Sequence, residues 1–138
     1  MQTTITITSK KDTDIINITE KIQEVLEKSK AESGLVNIFV KHTTSALTIT
    51  EYEPGVIKDT RDVLEKLIPK NQHYSHNDLN NDDNGHAHIR SSLLKPDLTI
   101  PFKDNKLLLG VWQQIVLIDS DCISREREVV ITIMSSKD

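Results

Sequence analysis

The first half of the chain shows both of the apolar spacings that distinguish strands from helices. Threonine and isoleucine alternate over residues 3–8, and this period of two predicts a half-buried strand. After Asn17, apolar residues recur at helical spacing until Ser33-Gly34 stops the pattern, which predicts an amphipathic helix. Two further apolar runs predict strands at residues 35–41 and 46–50.

The second half of the chain is predicted to contain two helices and three strands. The break at Pro54-Gly55 precedes a helical pattern of apolar residues from Val56 to Ile68, which Pro69 ends. Residues 71–85 hold almost no apolar side chain, and this composition is typical of a long surface loop. A short third helix is predicted over 86–94, and the remaining runs predict strands at 97–102, 106–118 and 127–134.

The order of these elements indicates the fold class. The order β-α-β-β-α-loop-α-β-β-β predicts a single compact α+β domain over residues 1–138, with a mixed, largely antiparallel sheet and two to three helices. The regular βαβ alternation of a doubly wound fold is missing, and the four glycines form no phosphate-binding loop. A chain of 138 residues buries enough surface to fold without disulfides or a structural metal, so any bound metal is expected to be functional.

Charge and cysteine content exclude several classes of function. A net charge of −4 and a pI near 5.7 provide no basic surface for a phosphate backbone, so no binding of nucleic acid is predicted. The lone Cys122 and the absence of a charged-then-apolar leader predict a cytoplasmic protein. The longest apolar run, Leu107 to Ile118, is interrupted by Gly110 and two glutamines, so no membrane span is predicted.

A first group of reactive side chains joins two predicted strands. His42-Thr43-Thr44-Ser45 offers an imidazole, three hydroxyls and backbone amides, and Glu51 follows at the end of the next strand. Such a group can act as acid or base or can bind phosphate. The alternative is a threonine-rich turn whose hydroxyls only satisfy nearby backbone groups.

A second group is rich in histidine. Four of the five histidines lie between residues 73 and 88, and His86 and His88 form an H-x-H pair. Both rings of such a pair face one side only if the backbone is extended, because residues i and i+2 diverge in a helix. With His76 they would suit a divalent metal, zinc or magnesium. The alternative is a solvated polar loop with histidine at a helix N-terminus.

Two further polar patterns lie in the C-terminal half. Arg125 and Arg127 would face the same side of an extended strand and could clamp a phosphate, or could form a solvated charge run with the neighbouring glutamates. Trp112 lies within the predicted strand 106–118 and is expected in the core. One amide of the pair Gln113-Gln114 is expected to point inward or into a site.

Three blocks of sequence carry a family resemblance. They are His42-Thr43-Thr44-Ser45-Ala46-Leu47-Thr48-Ile49 with Glu51, Asn84-Gly85-His86-Ala87-His88-Ile89 with Ser91-Ser92-Leu93-Leu94, and Gly110-Val111-Trp112-Gln113. Together they resemble the YjbQ-type secondary thiamine-phosphate synthase family, in the family's order and over nearly the whole chain. The family usually has threonine where this chain has Val111, which removes a hydroxyl, and glycine where it has Lys95.

The resemblance implies a fold, an assembly and an activity. It implies a compact α+β subunit in a homotrimer, with pockets near the subunit boundaries. Members are described as joining hydroxymethylpyrimidine diphosphate to a thiazole phosphate with release of diphosphate. The expected catalytic residues are His42, Glu51, His86, His88 and Gln113. The residues expected to bind these phosphorylated heterocycles are Thr43, Thr44, Ser45, Asn84, Ser91, Arg125 and Arg127, and the expected metal ligands are His76, His86 and His88.

Two other functions use the same residues. A metal-dependent hydrolase of phosphoester or related bonds would use histidine and carboxylate ligands to activate water. A non-catalytic trimeric protein would bind a small anion or metabolite without turnover. Water as the acceptor in a metal-dependent reaction would favour the first, and binding that persists without turnover would favour the second.

Overall fold

The computed structural model describes residues 1–136, whose strands form two antiparallel sheets. The strands are β1 (Gln2–Thr8), β2 (Asp14–Asn17), β3 (Ser33–Val40), β4 (Ser45–Thr50), β5 (Asp97–Lys103), β6 (Lys106–Leu107), β7 (Gln114–Asp119) and β8 (Glu126–Ser135). The helices are α1 (Thr19–Ser29), α2 (Pro54–Leu67), α3 (Ser75–Asn80) and α4 (Gly85–Leu94). The predicted α+β class is confirmed, with four helices in these residues rather than two to three.

The larger sheet brings the two ends of the described chain together. Its order is β1-β8-β3-β5-β6, and a smaller sheet has the order β2-β7-β4. Every strand pairing in residues 1–136 is antiparallel. Strand β8 lies between β1 and β3, pairing Thr132 with both Gln2 and Asn37. The five-stranded sheet therefore depends on contacts between distant parts of the sequence.

The two faces of β7 belong to two different apolar clusters. Ile115 and Leu117 pack in the main core, which β7 shares with α1 and the larger sheet. Val116 and Ile118 pack on the opposite face against Leu64 of α2. Burial on both faces explains why the apolar residues of β7 follow one another without a break. Each fully buried side chain of this size stabilises the fold by about 1.5–3 kcal/mol. It also fixes α2 and α4 against the smaller sheet.

The predicted strand 106–118 is wrong in its middle part. After β6 the chain forms a turn in which the Gly110 backbone N–H donates to Oε1 of Gln113 at 2.7 Å and the Gln113 N–H donates to the Gly110 carbonyl at 3.0 Å. The apolar side chains of this turn point outward, and Trp112 is 71% exposed rather than part of the core. These local hydrogen bonds compete with strand pairing, which the apolar pattern could not reveal.

The polar stretch 71–85 contains a helix that its composition did not predict. Helix α3 buries none of its side chains, so it has no apolar face for periodicity to detect. It is held instead by polar contacts, including the Gly85 N–H that donates to Oδ1 of Asn77 at 2.9 Å. A Cβ at Gly85 would lie 2.6 Å from Cβ of Tyr74, so this glycine allows α3 to approach α4 closely. None of the helices in residues 1–136 combines the length and apolar character needed to cross a bilayer.

Lys95 occupies a backbone conformation that suits glycine. Its φ of 74° and ψ of 156° lie in a region that residues other than glycine rarely adopt, at a cost of about 1–3 kcal/mol. Its backbone is fixed from both sides, because its N–H donates to the Ser91 carbonyl at 2.9 Å and its carbonyl accepts from the Leu47 N–H at 3.0 Å. The strained residue therefore links α4 to β4.

The substitution Lys95→Gly is expected to raise the free energy of unfolding by about 1 kcal/mol. Relief of strain exceeds the roughly 0.5–1 kcal/mol by which glycine favours the unfolded chain. Urea denaturation of both proteins measures the difference. Lys30→Gly is the matched control: Lys30 has an ordinary left-handed conformation, with φ 58° and ψ 19°, so the two effects nearly cancel there. Equal effects at both positions would contradict the assignment of strain to Lys95.

Candidate functional site

A cleft opens where the end of β3, the start of β4 and helix α4 meet. Its volume is about 480 Å³. Its lining residues are Phe39, Val40, Lys41, His42, Thr43, Ser45, His88, Ser91, Ser92 and Pro96. Imidazoles and hydroxyls therefore lie beside an apolar wall, as in many small-molecule sites. The cleft joins the first group of reactive side chains to part of the second.

Strand and helix periodicity place the lining residues. In β3, Val36, Ile38 and Val40 are buried in the core, so Phe39 lies on the outer face and is 42% exposed. In α4, His88 is three and four residues before Ser91 and Ser92, and this spacing puts all three on one side of the helix. The Val40 N–H donates to the Pro96 carbonyl at 2.9 Å, which ties the two walls together.

His42 is held as a neutral imidazole. Its Nε2 accepts a hydrogen bond from the backbone N–H of Glu128 at 2.9 Å, so a neutral ring carries its proton on Nδ1. Burial lowers the pKa of His42 below its ordinary value, and the nearby Arg127 cation lowers it further. The neutral form of His42 can therefore donate a hydrogen bond from Nδ1.

Ser45 and His88 are also poised to interact with a ligand. Ser45 is 1% exposed, and its Oγ has no hydrogen-bond partner among residues 1–136 although the residue lines the cleft. Burial lowers the pKa of His88, and the neighbouring His76 adds to this effect, with ring centroids 4.3 Å apart. An unsatisfied buried hydroxyl is costly, so a ligand that bonds to Ser45 would relieve a cost of the free protein.

A buried ionic network supports the cleft from below. Arg127 donates to Asp119 through Nε at 2.6 Å and Nη2 at 2.7 Å, and Nη2 also donates to Oγ1 of Thr44 at 2.7 Å. Thr44 in turn donates to Oδ2 of Asp121 at 2.9 Å. These side chains are buried. The network fixes Thr44 between the two cleft residues Thr43 and Ser45.

The network accounts for the arginine pair differently from the predicted phosphate clamp. Arg127 is buried and bonded to Asp119, while the exposed Arg125 donates from Nε to Asp121 at 3.2 Å. Burial alone would raise the pKa of Asp121, but hydrogen bonds from Thr44 and the Cys122 backbone and the charges of both arginines lower it below its ordinary value. Neither arginine lines the cleft, so the predicted clamp is not formed in this chain.

The chain is similar in sequence and in fold to known proteins. The family described as UPF0047 protein YjbQ-like matches residues 3–136. The chain belongs to this family. Among YjbQ-like relatives, a UPF0047 protein of Methanocaldococcus jannaschii is 39% identical over 132 residues, covering 95% of this chain and 92% of the relative. One of Archaeoglobus fulgidus is 35% identical over 127 residues, covering 92% and 96%.

Solved structures show the same fold. A hypothetical protein of Aeropyrum pernix superposes with a TM-score of 0.92 at 26% identity, covering 99% of both chains. A YjbQ/UPF0047 protein of Clostridium acetobutylicum superposes with a TM-score of 0.87 at 32% identity, covering 96% of this chain and 99% of the other. The YjbQ fold therefore extends over the whole described part of the chain.

The YjbQ cleft gathers only some of the residues expected to form the site. It contains the predicted His42, Thr43, Ser45, His88 and Ser91. Glu51 is exposed beyond β4, Gln113 closes its own turn, and Asn84 is buried with Oδ1 3.1 Å from Nε2 of His76. The cleft also contains five residues that were not predicted: Phe39, Val40, Lys41, Ser92 and Pro96. Phe39 could have been predicted as a site residue, because it is an aromatic residue at an outward-facing position of the predicted strand 35–41.

The three histidines expected to bind a metal do not converge. His86 and His88 diverge because they are two residues apart in a helix, and His86 lines a separate cavity with Lys70 and Arg90. His76 and His88 do lie side by side, but two histidines are fewer than the three protein ligands of a typical catalytic zinc site. Within residues 1–136, no three or more histidine, cysteine or acidic side chains are placed to hold a metal ion. The predicted three-histidine set does not fit this chain.

Proposed function

We propose that the cleft joins hydroxymethylpyrimidine diphosphate to a thiazole phosphate and releases diphosphate. The observation that carries this proposal is the meeting of neutral His42 and His88 with unpaired Ser45 beside an apolar wall. The cleft of about 480 Å³ has the size of sites that hold small organic ligands. The family resemblance in the sequence favours the same reaction.

The reaction needs charge stabilisation rather than a protein nucleophile. The thiazole nitrogen attacks the methylene carbon of the pyrimidine, and the carbon–oxygen bond breaks as diphosphate leaves with the electron pair. Negative charge therefore develops on the departing oxygen, where fixed hydrogen-bond donors lower the barrier. His42 would donate from Nδ1 and Thr43 and Ser45 from their hydroxyls.

Other lining groups have separate tasks. Lys41 supplies a cation at the cleft, although it is also paired with Glu128 at 3.1 Å. Phe39 and Pro96 present apolar surfaces on which a planar heterocycle can stack, away from the donors that hold its diphosphate. Arg127 contributes indirectly, because its bond to Thr44 fixes the backbone that carries Thr43 and Ser45.

The proposal predicts thiamine phosphate formation from the two purified precursors, with one diphosphate released per product. The assay is run without added metal and with Zn²⁺ or Mg²⁺, since a bound divalent metal stays a prediction. A reaction without thiazole phosphate is the control. Diphosphate release in that control, with water as acceptor, would support a hydrolase instead. Absence of product under every condition, with binding of the pyrimidine diphosphate retained, would contradict the transferase and support a binding protein.

A further inference from the structure

A second cavity lies on the other side of α4 from the cleft. It measures about 220 Å³ and is lined almost entirely by ionisable side chains of α2, α4 and the segments that precede β2 and follow α2. His88 faces the cleft and His86 faces this cavity, so the helix separates the two. The reaction proposed for the cleft does not use this cavity.

The acidic groups of this cavity are already paired. Asp12 binds Nζ of Lys70 at 2.6 Å. Glu65 binds Nη2 of Arg90 through Oε2 at 2.8 Å and accepts the Lys70 backbone N–H through Oε1 at 3.1 Å. Asp62 is bonded to Lys58 outside the cavity. The negative charge in the cavity is therefore neutralised by the protein itself.

Several donors of the cavity are left unused. Arg61 donates from Nε to the Thr13 carbonyl at 3.0 Å, and its terminal amino groups make no hydrogen bond within residues 1–136. Lys70 has two ammonium hydrogens beyond the one that binds Asp12. His86 is 2% exposed, and its Nδ1 has no partner among the described residues. The unused capacity is thus cationic or neutral rather than anionic.

The backbone beside the cavity is held in a costly conformation. Thr13 has φ of 62°, which is exceptional for a β-branched residue. Its Oγ1 accepts from Nη1 of Arg90 at 3.0 Å, and its carbonyl accepts from Arg61. Arg90 itself is 1% exposed and also donates to the Ile68 carbonyl. Conformations of this kind often mark functional sites, because the surrounding structure must maintain them.

We propose that this cavity binds a small oxyanion such as inorganic phosphate through Arg61 and Lys70, with the His86 ring at its wall. The guanidinium of Arg61 offers two parallel donors that match two oxygens of a tetrahedral anion. His86 is in the first turn of α4, where the positive end of the helix dipole also favours an anion. The site is independent of the proposed transferase reaction.

Equilibrium dialysis of the intact chain with radiolabelled inorganic phosphate, at constant ionic strength, tests the proposal. Arg61→Gln and Lys70→Gln are each expected to weaken phosphate binding about tenfold or more, the effect of losing a charged hydrogen bond. Arg61→Lys keeps the charge but loses the paired donors, so an intermediate loss is expected. Lys66→Gln is the matched control, because it removes a cation of the same helix that lies outside the cavity and forms no ion pair among the described residues.

A cleft variant separates this site from the proposed transferase site. Binding that survives His42→Ala and is lost in Arg61→Gln supports a second site even if the chain makes no thiamine phosphate. Binding lost in His42→Ala and retained in Arg61→Gln belongs to the cleft and overturns the proposal. Unsaturable binding, or equal losses in Lys66→Gln and Arg61→Gln, also overturns it. Circular dichroism of each variant identifies a loss of binding that comes from unfolding.

Discussion

Replacing Asp119 with asparagine is expected to lower the free energy of unfolding by about 3–5 kcal/mol. Asp119 is 0% exposed and binds Arg127 through both carboxylate oxygens, at 2.6 and 2.7 Å. Its oxygens also accept from Oγ of Ser9 and from the Asp121 N–H. Asparagine keeps the shape but removes the carboxylate that binds the guanidinium at two points, and leaves Asp121, 3.5 Å from Nη2, as the nearest counter-charge. Urea denaturation, with the slope compared between variants, measures the loss.

An exposed ion pair provides the control for this prediction. Glu128→Gln removes the partner of Lys41, a pair in which both side chains are about half exposed, and should change stability by less than about 1 kcal/mol. The backbone N–H of residue 128, which holds His42, is unaffected by that change. A similar small effect of Asp119→Asn would contradict the dependence of Arg127 on Asp119. It would also remove the reason to treat the network as the support of the cleft.

The substitution His42→Ala is expected to lower kcat for thiamine phosphate formation by roughly 10²–10³-fold, the usual effect of removing one fixed donor to a developing negative charge. The loss should fall on kcat rather than on KM, because the charge develops mainly in the transition state. Initial rates over a range of pyrimidine diphosphate concentrations separate the two constants.

His73→Ala is the matched histidine control for this prediction. His73 is exposed and bonded to Asp78, outside the lining of the cleft. It should therefore leave kcat unchanged. Equal losses in the two variants, or a change confined to KM in His42→Ala, would remove His42 from the role of transition-state donor. Thermal unfolding of His42→Ala shows whether loss of the bond from Glu128 has also destabilised the fold.

Local apolar spacing was sufficient to predict most elements of the fold. Strand β1 and helices α2 and α4 agree with the predicted segments to within two residues, although Ile89 and Leu93 of α4 are exposed rather than buried. The same spacing could not detect α3, which buries nothing, or β2, which has four residues. It also joined β6 and β7 across an exposed apolar turn, since a pattern cannot distinguish an outward-facing valine or tryptophan from a buried one.

The candidate site was predicted in part for a similar reason. His42, Thr43 and Ser45 follow one another in sequence, and Ser91 lies three residues after His88, so local structure alone brings each group together. The surroundings of Arg127 and His86 could not be predicted, because they depend on residues that are distant in the sequence. Arg127 pairs with Asp119, and His86 lines a cavity with Lys70. The homotrimer implied by the family resemblance and the bound metal stay predictions.

The position of β8 in the sheet affects how the chain can fold while it is being synthesised. Strand β1 is translated long before β8, which is its only neighbour in the sheet among residues 1–136. Until then the nascent chain carries an unpaired strand edge, the kind of surface that promotes aggregation. The alternating threonines of β1, including Thr4 and Thr6, remain exposed on the outer face even in the finished sheet. These threonines keep one face of β1 hydrated until β8 is synthesised and pairs with it.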